Sequence, residues 1–407
     1  MTMTDAADGA TTPTRTTRSL APDLARGMML LFIALANVSW FLWGHPASLT
    51  HAHPTDGTAL DRVLQALMMI VVDARSYPMF AFLFGYGMVQ FMTSRLNRGI
   101  DERTVRRMLR RRHWWLLAFG AVHAALLFYG DVLGAYAITG LLLVWIFFRR
   151  RDITLLIWSG IGLVLLGGYA VTSVIGGIVA AYMPASAVGM DADAAAFSVG
   201  GLREAAYGAP NYLSTIGERL STWAMITPFQ VIALSIPICV LLGWVAARRR
   251  YLDDPANHRR VLVRAAAIGI PVGWLGGVPS ALLHLGVIDV PEHASFMFDG
   301  LSQVTGIFGG IGYAALFGLI ALRWQEREAR PPVLRAISAV GQRSLTFYLW
   351  QSLLFAPLFA AWGFGLGDAV GTAGALGIAV LVWAAGIGVA VWLDRAGRRG
   401  PAEVLLR

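Results

Sequence analysis

Long apolar runs alternate with short polar gaps along nearly the whole chain. A helix needs roughly 20 apolar residues to cross a bilayer. On that scale the runs predict ten spanning helices, at about 24–43, 64–93, 114–129, 132–149, 153–182, 223–247, 262–283, 300–322, 343–362 and 372–393. The predicted fold is all-α, a polytopic integral membrane bundle over residues 23–394 with its second helix broken. Leu64–Val72 is apolar, Asp73 to Pro78 interrupts it, and Met79–Met92 resumes. Proline removes a helix donor, and irregular backbone at membrane depth must be shielded by protein or line a cavity. The connection 183–222 is longer than a link requires, and its stretch 200–220 suits an interfacial helix. It reads as an extracytoplasmic cover.

The gaps are of two kinds. Arginine crowds 94–113 and recurs at 149–151, 248–264, 323–343 and 395–407, whereas 44–63, 183–222, 284–299 and 363–371 hold only Arg62, Arg203 and Arg219. The turn Gly130-Asp131 carries an acid and no base, so 114–149 reads as a tight hairpin. Arginine-rich gaps face the cytosol. The expectation is a multi-pass protein of the bacterial cytoplasmic (inner) membrane, with an even number of crossings and both termini cytoplasmic. Residues 1–22, rich in Thr, Ala and Pro, are expected to be a disordered cytoplasmic tail, and 395–407 a C-terminal one. The run Met28–Trp43 ends without a small-residue cleavage pattern, which favours a retained helix.

Composition narrows the class. With 57% hydrophobic and 14% charged residues and a mean hydropathy of +0.60, an ordinary soluble domain is excluded. The net charge of +9 comes from arginine alone, the chain having no lysine. Those arginines flank apolar spans, which points to membrane lipids as partners and not to nucleic acid. A single cysteine, Cys239, excludes an intramolecular disulfide. With no soluble catalytic domain, any chemistry belongs inside the bundle or at its mouths.

Ionisable groups inside spans are costly unless paired, so they are the candidates for function. Asp23 and Arg26, three apart, share a face of the first helix; they are either a helix-start acid with a membrane anchor or part of a polar entrance. Asp73 and Arg75 stand at the break, either as an ion pair that fixes it or as cavity lining, with the arginine fork able to hold a carboxylate, phosphate or carbonyl oxygen. His123 is a candidate proton acceptor with Asp131 as its orienting acid. Eight residues of straight helix span about 12 Å, so the two meet only if the chain turns at Gly130. His45, at the outer mouth, is a second candidate base or an interface residue. His45, His51 and His53 fall within nine positions, but no acid or cysteine stands at tight ligand spacing, so no metal is expected. Ser344, Tyr348, Gln351 and Ser352 recur at three and four, a polar stripe facing the bundle. Gly306–Gly312 reads as close helix packing, since no nucleotide-loop lysine follows it.

Several of these segments carry a resemblance. Asp23-Leu-Ala-Arg26-Gly27 with Asn37, the run Met79 to Gly87, and His123 followed by Gly130-Asp131 to Tyr136 resemble the DUF418 family of YeiB-like bacterial membrane proteins. So do Gly341–Ser352 and the terminal Gly400-Pro401-Ala-Glu403. The family is distantly similar to transmembrane acyltransferases such as heparan-alpha-glucosaminide N-acetyltransferase. The resemblance implies transfer of an acyl group from cytoplasmic acyl-CoA, acetyl-CoA foremost, to a hydroxyl or amine of an envelope glycan, lipid or small molecule. It implies His123 or His45 as base, Asp131 as its orienter, and Arg75 with the Gln351/Ser352 edge steadying the carbonyl oxygen. Cytosolic arginines, among them Arg107, Arg111 and Arg249, would grip the CoA phosphates. The acetylating enzyme's histidine follows its first conserved helix, where this chain offers His45. The main alternative is a transporter or flippase for an anionic lipid or metabolite; a structural or sensory role is a third, and a homodimer is compatible with the chain.

Overall fold

The computed structural model describes residues 20–188, 198–325 and 331–406. The expected N-terminal tail lies outside the described residues except for Leu20–Pro22, which begin the first helix. The elements are α1 Leu20–Val38, α2 Ala59–Val71, α3 Ser76–Leu96, α4 Glu102–Leu126, α5 Leu133–Phe147, α6 Asp152–Ala181 and a short α7 Val199–Arg203. There follow α8 Ser214–Ile232, α9 Ser235–Arg248, α10 Arg259–His284, α11 Asp299–Gln325, α12 Pro332–Gly341, α13 Ser344–Phe359, α14 Leu366–Ala369, α15 Thr372–Arg395 and α16 Pro401–Leu405.

Ten crossings is too many. Among the described residues six helices are long and apolar enough to span a membrane, or seven if the bent pair α8–α9, which turns by 55°, counts as one span. The three expected spans that fall away are 114–129, 132–149 and 343–362. The first is the apolar half of α4, whose other half holds the arginines of 103–112. The others fold as α5 and α13, of 15 and 16 residues. At 1.5 Å per residue such helices reach about 24 Å, short of the roughly 30 Å hydrocarbon core. Apolar text alone does not separate these short helices from full crossings. The outer surface is that of a lipid-facing protein: α6 has a mean hydropathy of 2.0, yet only 28% of its apolar window is buried.

Local signals set the helix ends. Thr58 and Asp61 form a capping box on α2, and the other oxygen of Asp61 accepts from Ala373 N at 2.7 Å, so one carboxylate also caps α15. Asp101 caps α4 through Thr104 N. At the far end of the chain Glu403 accepts from Leu345 N (2.9 Å), Thr346 N (3.2 Å) and Thr346 Oγ1 (2.6 Å), closing the start of α13.

The second span is interrupted at Val72–Arg75, where Ala74 takes a φ of 54°. Pro78 is the third residue of α3, in the first turn where a missing N–H is harmless. Glycines on α10 and α11 make room for the break. A Cβ at Gly306 would strike the carbonyl oxygen of Ala74, one at Gly309 would lie 2.8 Å from Arg75 Cγ, and one at Gly310 would lie 2.6 Å from Met79 N. Gly273 and Gly309 face each other across the same helix pair, with 2.7 Å between a Cβ at Gly273 and Gly309 Cα.

Candidate functional site

Among the described residues the bundle holds a cavity toward each end. The larger, about 530 Å³, lies at the end away from the arginine clusters; its wall includes Asn37, Trp40, His51, His53, Asp73, Tyr77 and Asp299. The smaller, about 270 Å³, lies at the arginine-rich end and is lined by Arg26, Gln90, Arg112, His113, Ser344 and Glu403 among others. Phe80 of α3 belongs to both walls. Its ring stands edge-on to Tyr136 at 4.6 Å and lies 6.2 Å from Tyr348.

Asp73 emerges from the helix break into the larger chamber. Its Oδ2 lies 2.5 Å from His53 Nε2, and the aspartate is the accessible partner, 29% exposed against 3% for the histidine. Ser39 Oγ is 3.4 Å from the other ring nitrogen of His53. His51 and His284 complete a cluster: their rings are 4.9 Å apart and lie 6.1 and 6.3 Å from that of His53. His284 bonds Gln65 at 2.9 Å, and Gln65 donates to Thr372 Oγ1. Burial, with His53 and His284 adding to it, pushes the His51 imidazole down to about 3, so it is neutral at ordinary pH. Among the described residues no three His, Cys, Asp or Glu side chains stand in metal-holding geometry.

The loop that brings these histidines inward is clamped from the cover segment. Arg203, fully buried, donates to the carbonyls of Ser39 (3.3 Å), Ala52 (2.7 Å) and His45 (2.5 Å). Burial lowers its guanidinium to about 10, still cationic at neutral pH. Arg219 ties the same cover to α4 through Ala125 O at 3.0 Å.

The sequence candidates fall in several places. His123 Nδ1 lies 2.7 Å from Asp131 Oδ2, because the chain doubles back after Leu126, and Asp131 also accepts from Gly134 N and from the Tyr348 hydroxyl. The pair is buried, and among the described residues His123 Nε2 has no hydrogen-bond partner. Neither residue lines the chamber, although Phe128 to Gly130 beside them do. His45 is held at both ring nitrogens, by Asp56 (3.1 Å) and by the Val370 carbonyl (3.1 Å). Arg75 turns away from the chamber: its guanidinium donates to Met69 O (3.0 Å), Asp73 O (2.5 Å), Ser302 Oγ (3.2 Å) and the Gly273 carbonyl. Gln351 donates to Leu30 O at 2.8 Å, Ser352 is buried, and Ser344 lines the smaller cavity. Asp23 and Arg26 pair at 3.2 Å, and Arg26 reaches Gln90, which bonds Asp253. Arg107 and Arg111 line an open groove with Arg110, Trp114 and Trp115, while Arg249 sits elsewhere, beside Asp152.

The histidine cluster with Asp73 is the constellation sequence reasoning missed. His51 and His53 were visible only as neighbours of His45, and Asp73 only as a neighbour of Arg75. His53 and Asp73 are twenty residues apart and His284 comes from another helix, so no local spacing joins them.

These features define a class: a membrane-embedded, all-helical protein with six or seven membrane-length helices among the described residues and a cavity toward each end. The family described as protein of unknown function DUF418 matches residues 246–407. The chain is 28% identical to the uncharacterized protein YxaH of Bacillus subtilis (strain 168) over 404 residues, covering 95% of this chain and 92% of that protein. It is 26% identical to the uncharacterized protein YeiB of Escherichia coli (strain K12) over 400 residues, 96% of this chain and 95% of that protein. A 39.9 kDa uncharacterized protein of Bacillus acidopullulyticus is 32% identical over 134 residues, 33% of this chain and 35% of that protein. The chain is thus similar over nearly its whole length to two uncharacterized bacterial proteins and, over its C-terminal part, to the DUF418 family.

Proposed function

We propose that the protein transfers an acyl group across the bacterial cytoplasmic membrane, from acyl-CoA entering at the arginine-rich end to a hydroxyl or amine acceptor in the larger chamber. The observation that carries this reading is the pair of back-to-back cavities sharing Phe80, with the Asp73–His53 pair on the acceptor side. Arg26, near the start of α1, and Leu406, near the last residue, line the same cavity, so both ends of the described chain are assigned to the cytosolic side by the positive-inside rule.

In this mechanism Asp73 and His53 act as one proton-sharing base, reached through the accessible carboxylate. The acceptor O–H or N–H gives its proton to the pair as its oxygen or nitrogen attacks the thioester carbonyl carbon. A C–O or C–N bond forms, the C–S bond breaks, and the departing sulfur takes a proton back from the pair as free CoA thiol. The base returns to its starting state. His123 and Asp131, behind the chamber wall, hold the Tyr348 edge of the septum. The groove of Arg107 and Arg111 offers the donor phosphates a landing site, with Arg249 at a separate position on the same end.

The test is thiol release from acetyl-CoA by the purified chain in lipid nanodiscs supplied with an envelope extract. Asp73→Asn should lower turnover by about 10²–10⁴-fold, the usual worth of a positioned base, while His45→Ala, whose ring serves only the outer loop, should keep it. Undiminished thiol release by Asp73→Asn would overturn the assignment. A second reading, transport of an anionic solute or lipid, is favoured by the interrupted span at Val72–Arg75 opening onto the chamber. Solute movement without thiol release selects it.

A further inference from the structure

We infer that the smaller cavity is a binding site for a phosphoryl group, a monoester or diphosphate carried by a soluble ligand or a lipid headgroup. The inference is independent of acyl transfer, since a transporter would need such a site equally.

The argument begins with Arg112. It is half-buried on α4 and lines the cavity, yet among the described residues it makes no hydrogen bond or ion pair; its guanidinium lies over the Phe91 ring, 5.8 Å from the centroid, within the fields of Arg26 and Glu403. A guanidinium that opens onto a cavity without a protein acceptor on it can bond an oxyanion that enters. Arg26 faces the same space and is fastened in place by Asp23 and Gln90, both at 3.2 Å. Its guanidinium lies over Gly87, where a Cβ would come within 2.9 Å of Nη2. The two cations thus share one small cavity.

The third element is His113, one turn on from Arg110 and 1% exposed, with neither ring nitrogen hydrogen-bonded among the described residues. It lines the cavity and packs against Gly140, where a Cβ would be 2.5 Å from Nε2. A buried imidazole with two unmet nitrogens is an unexplained cost in a structure that satisfies most of its buried polar atoms. The carboxylate in the wall, Glu403, attracts Arg112 electrostatically, but its oxygens bond the start of α13 and, among the described residues, neither bonds an arginine. The remaining polar lining, Gln342 and Ser344, supplies donors. Forked cations, neutral donors and an imidazole around a volume several times one water's share of about 30 Å³ match a tetrahedral oxyanion better than a carboxylate, which needs only one fork.

The experiment uses the full chain in nanodiscs of neutral phosphatidylcholine, titrated calorimetrically with inorganic diphosphate. Binding is expected, weakened at least tenfold by Arg112→Gln, partly restored in Arg112→Lys, and unchanged by Arg98→Gln on the exposed surface. A measurement that needs no variant is protection of Arg112 from phenylglyoxal by diphosphate, read by mass spectrometry. A parallel arm replaces part of the neutral lipid with phosphatidic acid; protection by that lipid but not by diphosphate assigns the phosphoryl group to a headgroup. Absence of protection by both ligands, or equal loss of binding in Arg98→Gln, overturns the proposal.

Discussion

Replacing Arg75 with methionine removes the clasp of the broken second span while roughly keeping side-chain length. The guanidinium serves the carbonyls of Met69, Asp73 and Gly273 and the hydroxyl of Ser302. Gly273 is within α10 and keeps its helical bond, so the acceptors newly left unmet are those of Met69 and Asp73, at the break itself. Each buried acceptor without a partner costs about 1–3 kcal/mol. Removing a buried cation returns part of that, so the net loss is on the order of 3 kcal/mol. The assay is unfolding in mixed micelles with increasing denaturing detergent, followed by tryptophan fluorescence. Arg75→Lys should recover less than half the loss, because a point charge cannot reach both sides of the slot between Gly277 and Gly309. Arg98→Met, on the exposed surface, should change stability by no more than about 0.5 kcal/mol. A loss below about 1 kcal/mol in Arg75→Met would show that the break is held by helix packing alone.

Other consequences can be checked in the same preparation. Gly306→Val should destabilise by at least about 1–3 kcal/mol, since its side chain falls on the Ala74 carbonyl; a neutral result would mean that the break shifts freely. Glu403→Ala should cost about 0.5–2 kcal/mol through the lost cap on α13, with faster amide exchange at Leu345 and Thr346 as the local readout. Because His51 has a folded value near 3 against 6.5 unfolded, the unfolded chain binds more protons between those values. Its contribution to stability is therefore complete above pH 6.5 and is lost as the pH falls toward 3. His51→Gln should flatten that slope, and an unchanged slope between pH 7 and 4 would refute the assignment.

Much of the architecture is legible in the apolar pattern, because a span must be continuous to satisfy its backbone in lipid. The predicted 153–182 and 372–393 correspond to Asp152–Ala181 and Thr372–Arg395, and 262–283 to Arg259–His284. The excess in the predicted count has a specific source: α5 and α13 are as apolar as the spans but only 15 and 16 residues long, and apolar composition does not reveal where such a helix stops. The contact between His123 and Asp131 depends on a turn that Gly130 hints at. The meeting of His53, Asp73 and His284 depends on loop 42–58 being drawn inward by Arg203, which nothing near His53 in the chain foretells. Arg75 shows the converse, a conspicuous intramembrane charge whose donors turn inward to carbonyl oxygens because glycines on two other helices leave it a slot.

Phe80 has an electrical consequence. It lines both cavities, so with water in each the membrane voltage would fall mainly across the residues between them, Phe80 among them, and not evenly over the roughly 30 Å of hydrocarbon. A unit charge carried past it exchanges about 2.3 kcal/mol with every 100 mV. Under the transport reading a charged solute would therefore move at a voltage-dependent rate, whereas transfer of a neutral acyl group would be indifferent to the potential.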